Sequence, residues 1–289
     1  MKKLPLKLTF VLFIFSLAFT YAQNTSGIVT YEEFMSFGNE LNFEESNTDK
    51  KESGMDADFK RQLIEQLKKP QQRQFTLLFD NHLSKFQAVE KVENDIPQDG
   101  IVIRVEKGNS FGYKIKNIKE GWYIELADIF SKEFTIKDDL EKMNWTITDE
   151  TKNIGDYLCI KATRNISVNE EERKKYQEDL ETYNKKGTGL FKPVEPKESV
   201  IVAWFTPQIP IGHGPEEFYG LPGLILEVKD ENITYLASKI QLNPKDKVSI
   251  KVPNTKKAIS KKEFDKIQKE KFDSMKNEDG FIIQEIITN

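Results

Sequence analysis

Hydrophobic and polar residues alternate along most of this chain with a period of two, and runs of that kind read as β-strands. Gly27 to Phe37 is rich in β-branched and aromatic residues and opens the series. Gln74 to Phe79 and Ser84 to Val92 follow, joined by Asp80-Asn81-His82. Ile101 to Glu106 adds a weaker strand pattern, and Tyr113 to Ile118 with Trp122 to Leu126 flanks the turn Lys119-Glu120-Gly121. Lys132 to Lys137, Asn144 to Ile154, Tyr157 to Ile166 and Val200 to Phe205 continue it. Leu224 to Val228, Ile233 to Leu242, Val248 to Val252 and the tail segment Phe281 to Ile287 complete the set.

The period lengthens in three places. Phe59, Leu63 and Leu67 recur every fourth residue between Asp56 and Lys69, with Ile64 widening the stripe and Pro70 ending it, which predicts an amphipathic helix. Asn169 to Lys186 carries only a thin seam, Tyr176, Leu180 and Tyr183, and predicts a solvated helical insertion. Ser260-Lys261-Lys262-Glu263 has the form of a capping box, opening a helix near 260–275 with Phe264, Ile267 and Phe272.

About ten strands joined mostly by hairpins predict a mainly β (α+β) fold built on one large antiparallel sheet. Runs such as Ile201-Val202-Ala203-Trp204 and Leu224-Ile225-Leu226 are apolar at consecutive positions, so both faces need cover. The expected form is a curved sheet or open half-barrel, of the lipoprotein-carrier type, with amphipathic helices and the long loop before Leu224 on its concave side.

That loop breaks every periodicity. Seven of the sixteen residues Pro207 to Pro222 are Gly or Pro, so its path is set residue by residue. It carries Phe218 and Tyr219 and ends in Gly220-Leu221-Pro222-Gly223-Leu224-Ile225. This hexapeptide resembles the naming motif of the GLPGLI family of Bacteroidetes proteins, an uncharacterised exported family. The hairpin after Trp145, with Tyr157, Cys159, Lys161 and Ala162, is similar to the family's second hallmark, in which Asp156 stands in place of a glycine. The resemblance spans about Trp145 to Ile240, apart from the insertion. It implies export and assigns the motif no chemistry.

The N-terminus agrees on address. Lys2, Lys3 and Lys7 precede a mainly apolar run from Leu8 to Phe19, and Ala22-Gln23 suits a cleavage junction. Residues 1–22 are expected to be a signal peptide, and 23–289 a single domain in the periplasm or outside the cell, with no transmembrane segment in the mature chain. Removing the signal takes the formal charge from −4 to −7. The charges are interspersed, with no basic face for nucleic acid.

Chemistry is thinly signposted. There are two histidines, His82 and His213, and one cysteine, Cys159, so neither a disulfide framework nor a stoichiometric transition metal or other cofactor is expected. Cys159, between Leu158 and Ile160, reads as a small buried residue. Trp122, Trp145 and Trp204 read as core anchors. His213 sits in an exposed-looking Gly-His-Gly setting, a turn residue followed by Glu216 and Glu217 as a charged first turn after Pro215. The sharper alternative makes His213, with Glu216 or Glu217, the acid/base machinery of a hydrolase.

The preferred reading is a non-enzymatic exported protein holding an apolar small molecule, a lipid or a protein partner of the outer membrane in its concave sheet. A role beside an outer-membrane transport or secretion system suits that address. The motif candidates for contact are Trp204, His213, Phe218, Tyr219, Gly220, Leu221, Pro222, Gly223, Leu224 and Ile225. Within the hexapeptide, a tight turn with φ > 0 at Gly223 is expected, with Leu221, Leu224 and Ile225 plugged into the sheet.

Overall fold

The structure is a computed structural model that describes residues 25–36, 65, 69–89, 112–129, 132–186 and 193–275. Its frame is one antiparallel sheet of eleven strands. The first six are β1 (Gly27–Met35), β2 (Gln71–Phe79), β3 (Leu83–Ala88), β4 (Tyr113–Asn117), β5 (Trp122–Ile129) and β6 (Lys132–Asp139). The other five are β7 (Thr146–Ile154), β8 (Tyr157–Ile166), β9 (Ser199–Thr206), β10 (Leu224–Asp230) and β11 (Ile233–Leu242). In space they run β6-β5-β4-β3-β2-β1-β11-β10-β9-β8-β7. Two meanders are therefore sewn together where the first strand lies against the last, Val29 opposite Ile240 and Phe34 opposite Thr234.

This order forces curvature. Strands β6 and β7 are the two outer edges, yet only residues 140–145 join them. Laid flat, ten inter-strand gaps would separate the edges by about 48 Å. The connecting chain, fully extended, reaches about 25 Å. The sheet must bend until its edges approach, giving the mainly β, open curved sheet that the strand pattern predicts.

The concave face holds the core. On β1, Val29, Tyr31, Glu33 and Met35 are buried while Phe34 between them is exposed, the period-two signature of one covered face. The same face continues through Phe75, Leu77 and Phe79 of β2 and Phe86 of β3, each registered against it. On the other meander Ile201, Ala203 and Phe205 of β9 and Val228 of β10 join the same cluster. A smaller cluster lies at the β6 end, where Ala127, Ile129 and Ile136 meet Phe264 and Ile267.

Phe264 and Ile267 belong to α2 (Lys261–Met275), the helix expected near 260–275. Ser260 Oγ accepts from Glu263 N at 3.2 Å, as the capping box predicts. The insertion forms α1 (Glu170–Lys186), started by a reciprocal cap between Asn169 and Glu172 and exposed along most of its length. Neither of these helices is long and apolar enough to cross a membrane.

One expected strand is absent: residues 248–252 have no strand partner and run as irregular chain. Val252 there is exposed, so the apolar alternation that suggested a strand has no face to bury. The expected helix Asp56 to Lys69, the strand Ile101 to Glu106, the tail strand and the signal region lie wholly or almost wholly outside the described residues.

Candidate functional site

The loop between β9 and β10 is the device that fills the concave face. It folds back on itself: His213 and Tyr219 form an antiparallel bridge, and Gly220 N donates to Gly212 O at 2.8 Å. Leu224 N then donates to Ile209 O at 2.9 Å and Ile225 N to His213 O at 3.0 Å, welding the loop to the start of β10. Ile209, Ile211, Phe218, Leu221, Leu224 and Ile225 all join the core. Tyr31 of β1 donates its hydroxyl to Ile225 O at 2.5 Å. Leu221, Leu224 and Ile225 thus plug into the sheet as the apolar pattern implies.

The glycines do different work from what the sequence suggests. Positive φ falls on Gly220, at +90°, and not on Gly223. Gly223 is needed because its Cα lies against the end of β9: an added Cβ would sit 2.2 Å from Thr206 O and 2.6 Å from Thr206 C. The tight turn lies earlier, at Pro215–Phe218, closed by Phe218 N donating to Pro215 O at 2.9 Å. Its first central residue is Glu216 at φ +43°, a place usually given to glycine. Glu216 and Glu217 are therefore turn residues and not the opening of a helix.

Lys116 of β4 anchors this turn from the opposite meander. Its fully buried ammonium donates to Gly214 O (2.9 Å), Glu216 O (2.5 Å) and Phe218 O (2.8 Å). Burial, reinforced by the nearby Lys114 charge, pushes the amine down to about 7. The three carbonyls oppose that shift, because only a full ammonium can satisfy all three. On the far side Trp145 Nε1 donates to Tyr219 O at 2.8 Å, and the Tyr219 hydroxyl to Glu141 O at 2.6 Å. The loop is held to β4 on one flank and to the inter-edge connection on the other.

His213 is a buried structural residue, where the sequence suggested an exposed turn. Its ring is inaccessible, packs near Phe79 and hydrogen-bonds through Nε2 to Asp80 O at 3.1 Å, while Nδ1 has no partner among the described residues. Burial, with the Lys116 charge, drives its pKa down to about 3, so the ring is neutral. A neutral ring facing a carbonyl donates its Nε2 proton there. Neither nitrogen hydrogen-bonds Glu216 or Glu217, so the acid/base pair of the alternative reading is not assembled.

Beside the loop lies a shallow cleft open to solvent. Its floor is aromatic: Phe75 stacks on Phe86 with centroids 4.8 Å apart and an interplanar angle of 7°, and Tyr235 meets both edge-on. One wall is Arg73, bound through two nitrogens to Glu33 at 2.5 and 3.0 Å and lying over the Phe75 ring. The other wall is Lys114, 2.9 Å from Glu216 and 3.4 Å from Glu125. Burial works against the Lys114 ammonium, but Glu216 and Glu125 outweigh it and hold its pKa above the usual lysine value. Burial would likewise raise the Glu216 carboxyl; Lys114 wins and keeps it below the usual carboxylate range.

Of the ten motif candidates, His213, Phe218, Leu221, Gly223, Leu224 and Ile225 are buried structural positions. Trp204 lies half-buried on the convex face under the Lys152 ammonium. Gly220 and Pro222 are exposed and Tyr219 half-buried. None of the ten lines the cleft. Cys159 is buried, as its neighbours suggest, and burial raises its thiol to about 11.

The cleft residues themselves went unread in the sequence, although a signal existed. Glu33 is in phase with Val29, Tyr31 and Met35, and Arg73 with Phe75, Leu77 and Phe79. An inward carboxylate and an inward guanidinium on adjacent strands demand one another. Lys114 and Lys116 likewise alternate with Ile115.

Residues 145–227 match a family described as "Protein of unknown function (Porph_ging)". The matched stretch begins at the Trp145 that holds Tyr219 and ends two residues past Ile225, so it takes in the whole loop and the strands β7 to β9. No curated protein matches the chain. Among solved structures, PNGF-II in a C2 and in a P21 crystal form is similar, at 14% identity and TM-scores of 0.44 and 0.45. Those matches cover 86% of this chain but 33% and 34% of theirs, so the chain spans about a third of their length.

Proposed function

We propose that this chain is an exported binding module whose ligand or partner segment lies in the cleft on the concave side of the sheet. The observation that carries the reading is the cleft floor. Three aromatic rings, Phe75, Phe86 and Tyr235, are brought edge and face together at the bottom of an opening walled by paired charges. Such a combination, an apolar floor with a few oriented polar groups, is the usual form of a small-molecule site. The loop packs into the core beside it, and the apolar part of a ligand would lie on this floor.

Several features support a binding role over a hydrolytic one. His213 is neutral, buried and turned to a backbone carbonyl. The carboxylates of the cleft are spent on Lys114 and Arg73, an arrangement that fixes shape and charge more than it prepares a proton transfer. The charged start and apolar run before Ala22 support export, and the resemblance to the GLPGLI family points the same way. An outer-membrane partner or a companion transport system would suit that address. The test is mass spectrometry of organic extracts from protein purified out of its native host, beside a Phe86→Ala variant. A retained small molecule, lost with the variant, supports the proposal; extracts identical to buffer alone for the unaltered protein count against it.

A further inference from the structure

Independently of the cleft, we infer that Arg164 holds an oxyanion, the carboxylate or phosphate of a small molecule, on the other flank of the loop. Arg164 of β8 lies on the inward face: Ala162 before it on the strand and Ile201, its register partner on β9, both belong to the core. Arg73 and Lys116, inward cations of β2 and β4, are met by Glu33 and by three loop carbonyls. Arg164 has neither kind of partner. Among the described residues its guanidinium makes one hydrogen bond, from Nη1 to the Met143 sulfur at 2.9 Å, and no ion pair.

A thioether is a weak, uncharged acceptor, whereas a guanidinium presents a planar fork of N–H donors that matches the oxygens of a carboxylate or phosphate. A cation drawn part-way out of water without a counter-charge is costly, and an anion supplied from solution removes that cost. Arg164, Met143, Trp145 and Tyr219 are each partly exposed, so the group can be reached. Tyr219 lies within range of the charge: burial and the Glu141 carboxylate push its phenol up, and Arg164 pulls it down. The Tyr219 ring is fixed there by its hydroxyl on Glu141 O and by Trp145 on its carbonyl. The Glu141 carboxylate acts on the same phenol, yet its side chain is exposed and not paired with Arg164. None of these residues lines the aromatic cleft.

The test is an NMR titration of the purified protein that follows the Arg164 Nε–H signal with benzoate, phenyl phosphate and the neutral benzamide. At least one anion should bind with a Kd of about 10 mM or tighter, and benzamide about tenfold more weakly. Whichever anion binds more tightly shows which oxyanion the site prefers. Arg164→Gln should lose about tenfold or more of the anion affinity, and Arg164→Lys, which keeps the charge without the fork, should recover only part of it. Arg173→Gln, on the exposed face of α1, should lose none. The probe comparison on unaltered protein stands even if the Arg164 variants fold poorly. Benzamide binding as tightly as the anions, or neither anion moving the Arg164 signal up to about 100 mM, overturns the inference. Full anion affinity in a folded Arg164→Gln protein does so too. None of these outcomes bears on the cleft, which Phe86→Ala tests separately.

Discussion

Replacing Gly223 with alanine should be far more damaging than replacing Gly220, although Gly220 is the one with positive φ. At Gly220 the added methyl meets nothing within 4 Å, so the cost is the backbone strain of a Cβ at φ +90°, about 1–3 kcal/mol. At Gly223 the same methyl would lie 2.2 Å from Thr206 O, 2.6 Å from Thr206 C and 3.0 Å from Pro207 N. All three are backbone atoms, which cannot swing aside as a side-chain tip can. Thr206 is moreover the register partner of Leu224, so relief requires β9 and β10 to part at the point where the loop is welded to the sheet. Overpacking a core commonly costs about 1–3 kcal/mol even when side chains can adjust. With none to adjust, about 3–5 kcal/mol is expected. For a domain of this size each kcal/mol moves Tm by roughly 2–4 °C, so Gly223→Ala should lose about 6–20 °C and Gly220→Ala about 2–12 °C. Thermal and urea unfolding of both variants, followed by circular dichroism, provides the check. A Gly223→Ala protein melting within a degree or two of the parent, or above Gly220→Ala, would refute the close-approach reasoning.

Leu224→Ala removes a fully buried side chain from the core and should cost about 2–5 kcal/mol, read as a lower urea midpoint at unchanged slope. Lys116→Met leaves three loop carbonyls without their donor and should destabilise by about 3 kcal/mol or more, while Lys119→Met, in the exposed turn after β4, should change little. His213 gives a pH signature with a definite sign. The unfolded chain takes up its proton near 6.5 and the folded protein only near 3, so unfolding binds a proton in between and stability falls as pH drops through that window. His213→Gln should flatten this loss between pH 6.5 and 3 in a stability-versus-pH series, and an unchanged slope would show that the ring is not held neutral. Terminal sequencing of protein recovered from the producing cells should begin near Gln23 or Asn24, and retention of Met1 to Ala22 would remove the basis for export.

The fold was legible because a half-covered sheet writes a period of two. β1, the β7–β8 hairpin and β9 to β11 stand close to where the alternation puts them. The capping residue Ser260 marks the start of α2 for the same reason, since a local hydrogen bond needs only local sequence. What joins the two meanders, Val29 against Ile240 across most of the chain, carries no local signal and came only from the structure.

The site was hidden by two effects. Charged residues at inward positions look like interruptions of a strand until their partners on adjacent strands are known, as Glu33 and Arg73 show. The Gly/Pro-rich loop drew attention because its composition is unusual, yet that composition serves packing. Gly223 admits Thr206, Gly214 admits Ile225, and His213 occupies core volume beside Phe79. Glu216, which its place after Pro215 suggests as the first turn of a helix, is instead the positive-φ corner between the loop and the cleft.

The central claim is that the loop through Gly220–Ile225 is a fixed part of the core and that the aromatic cleft beside it is what remains open to a ligand. Native-state hydrogen exchange on the amides of Gly220, Leu224 and Ile225 tests it most directly, since each donates to a carbonyl within the loop at 2.8–3.0 Å. The account predicts that these amides exchange only with global unfolding, as slowly as those of β1. Exchange orders of magnitude faster than β1, with the strands still protected, would show a loop that opens by itself and would contradict the account.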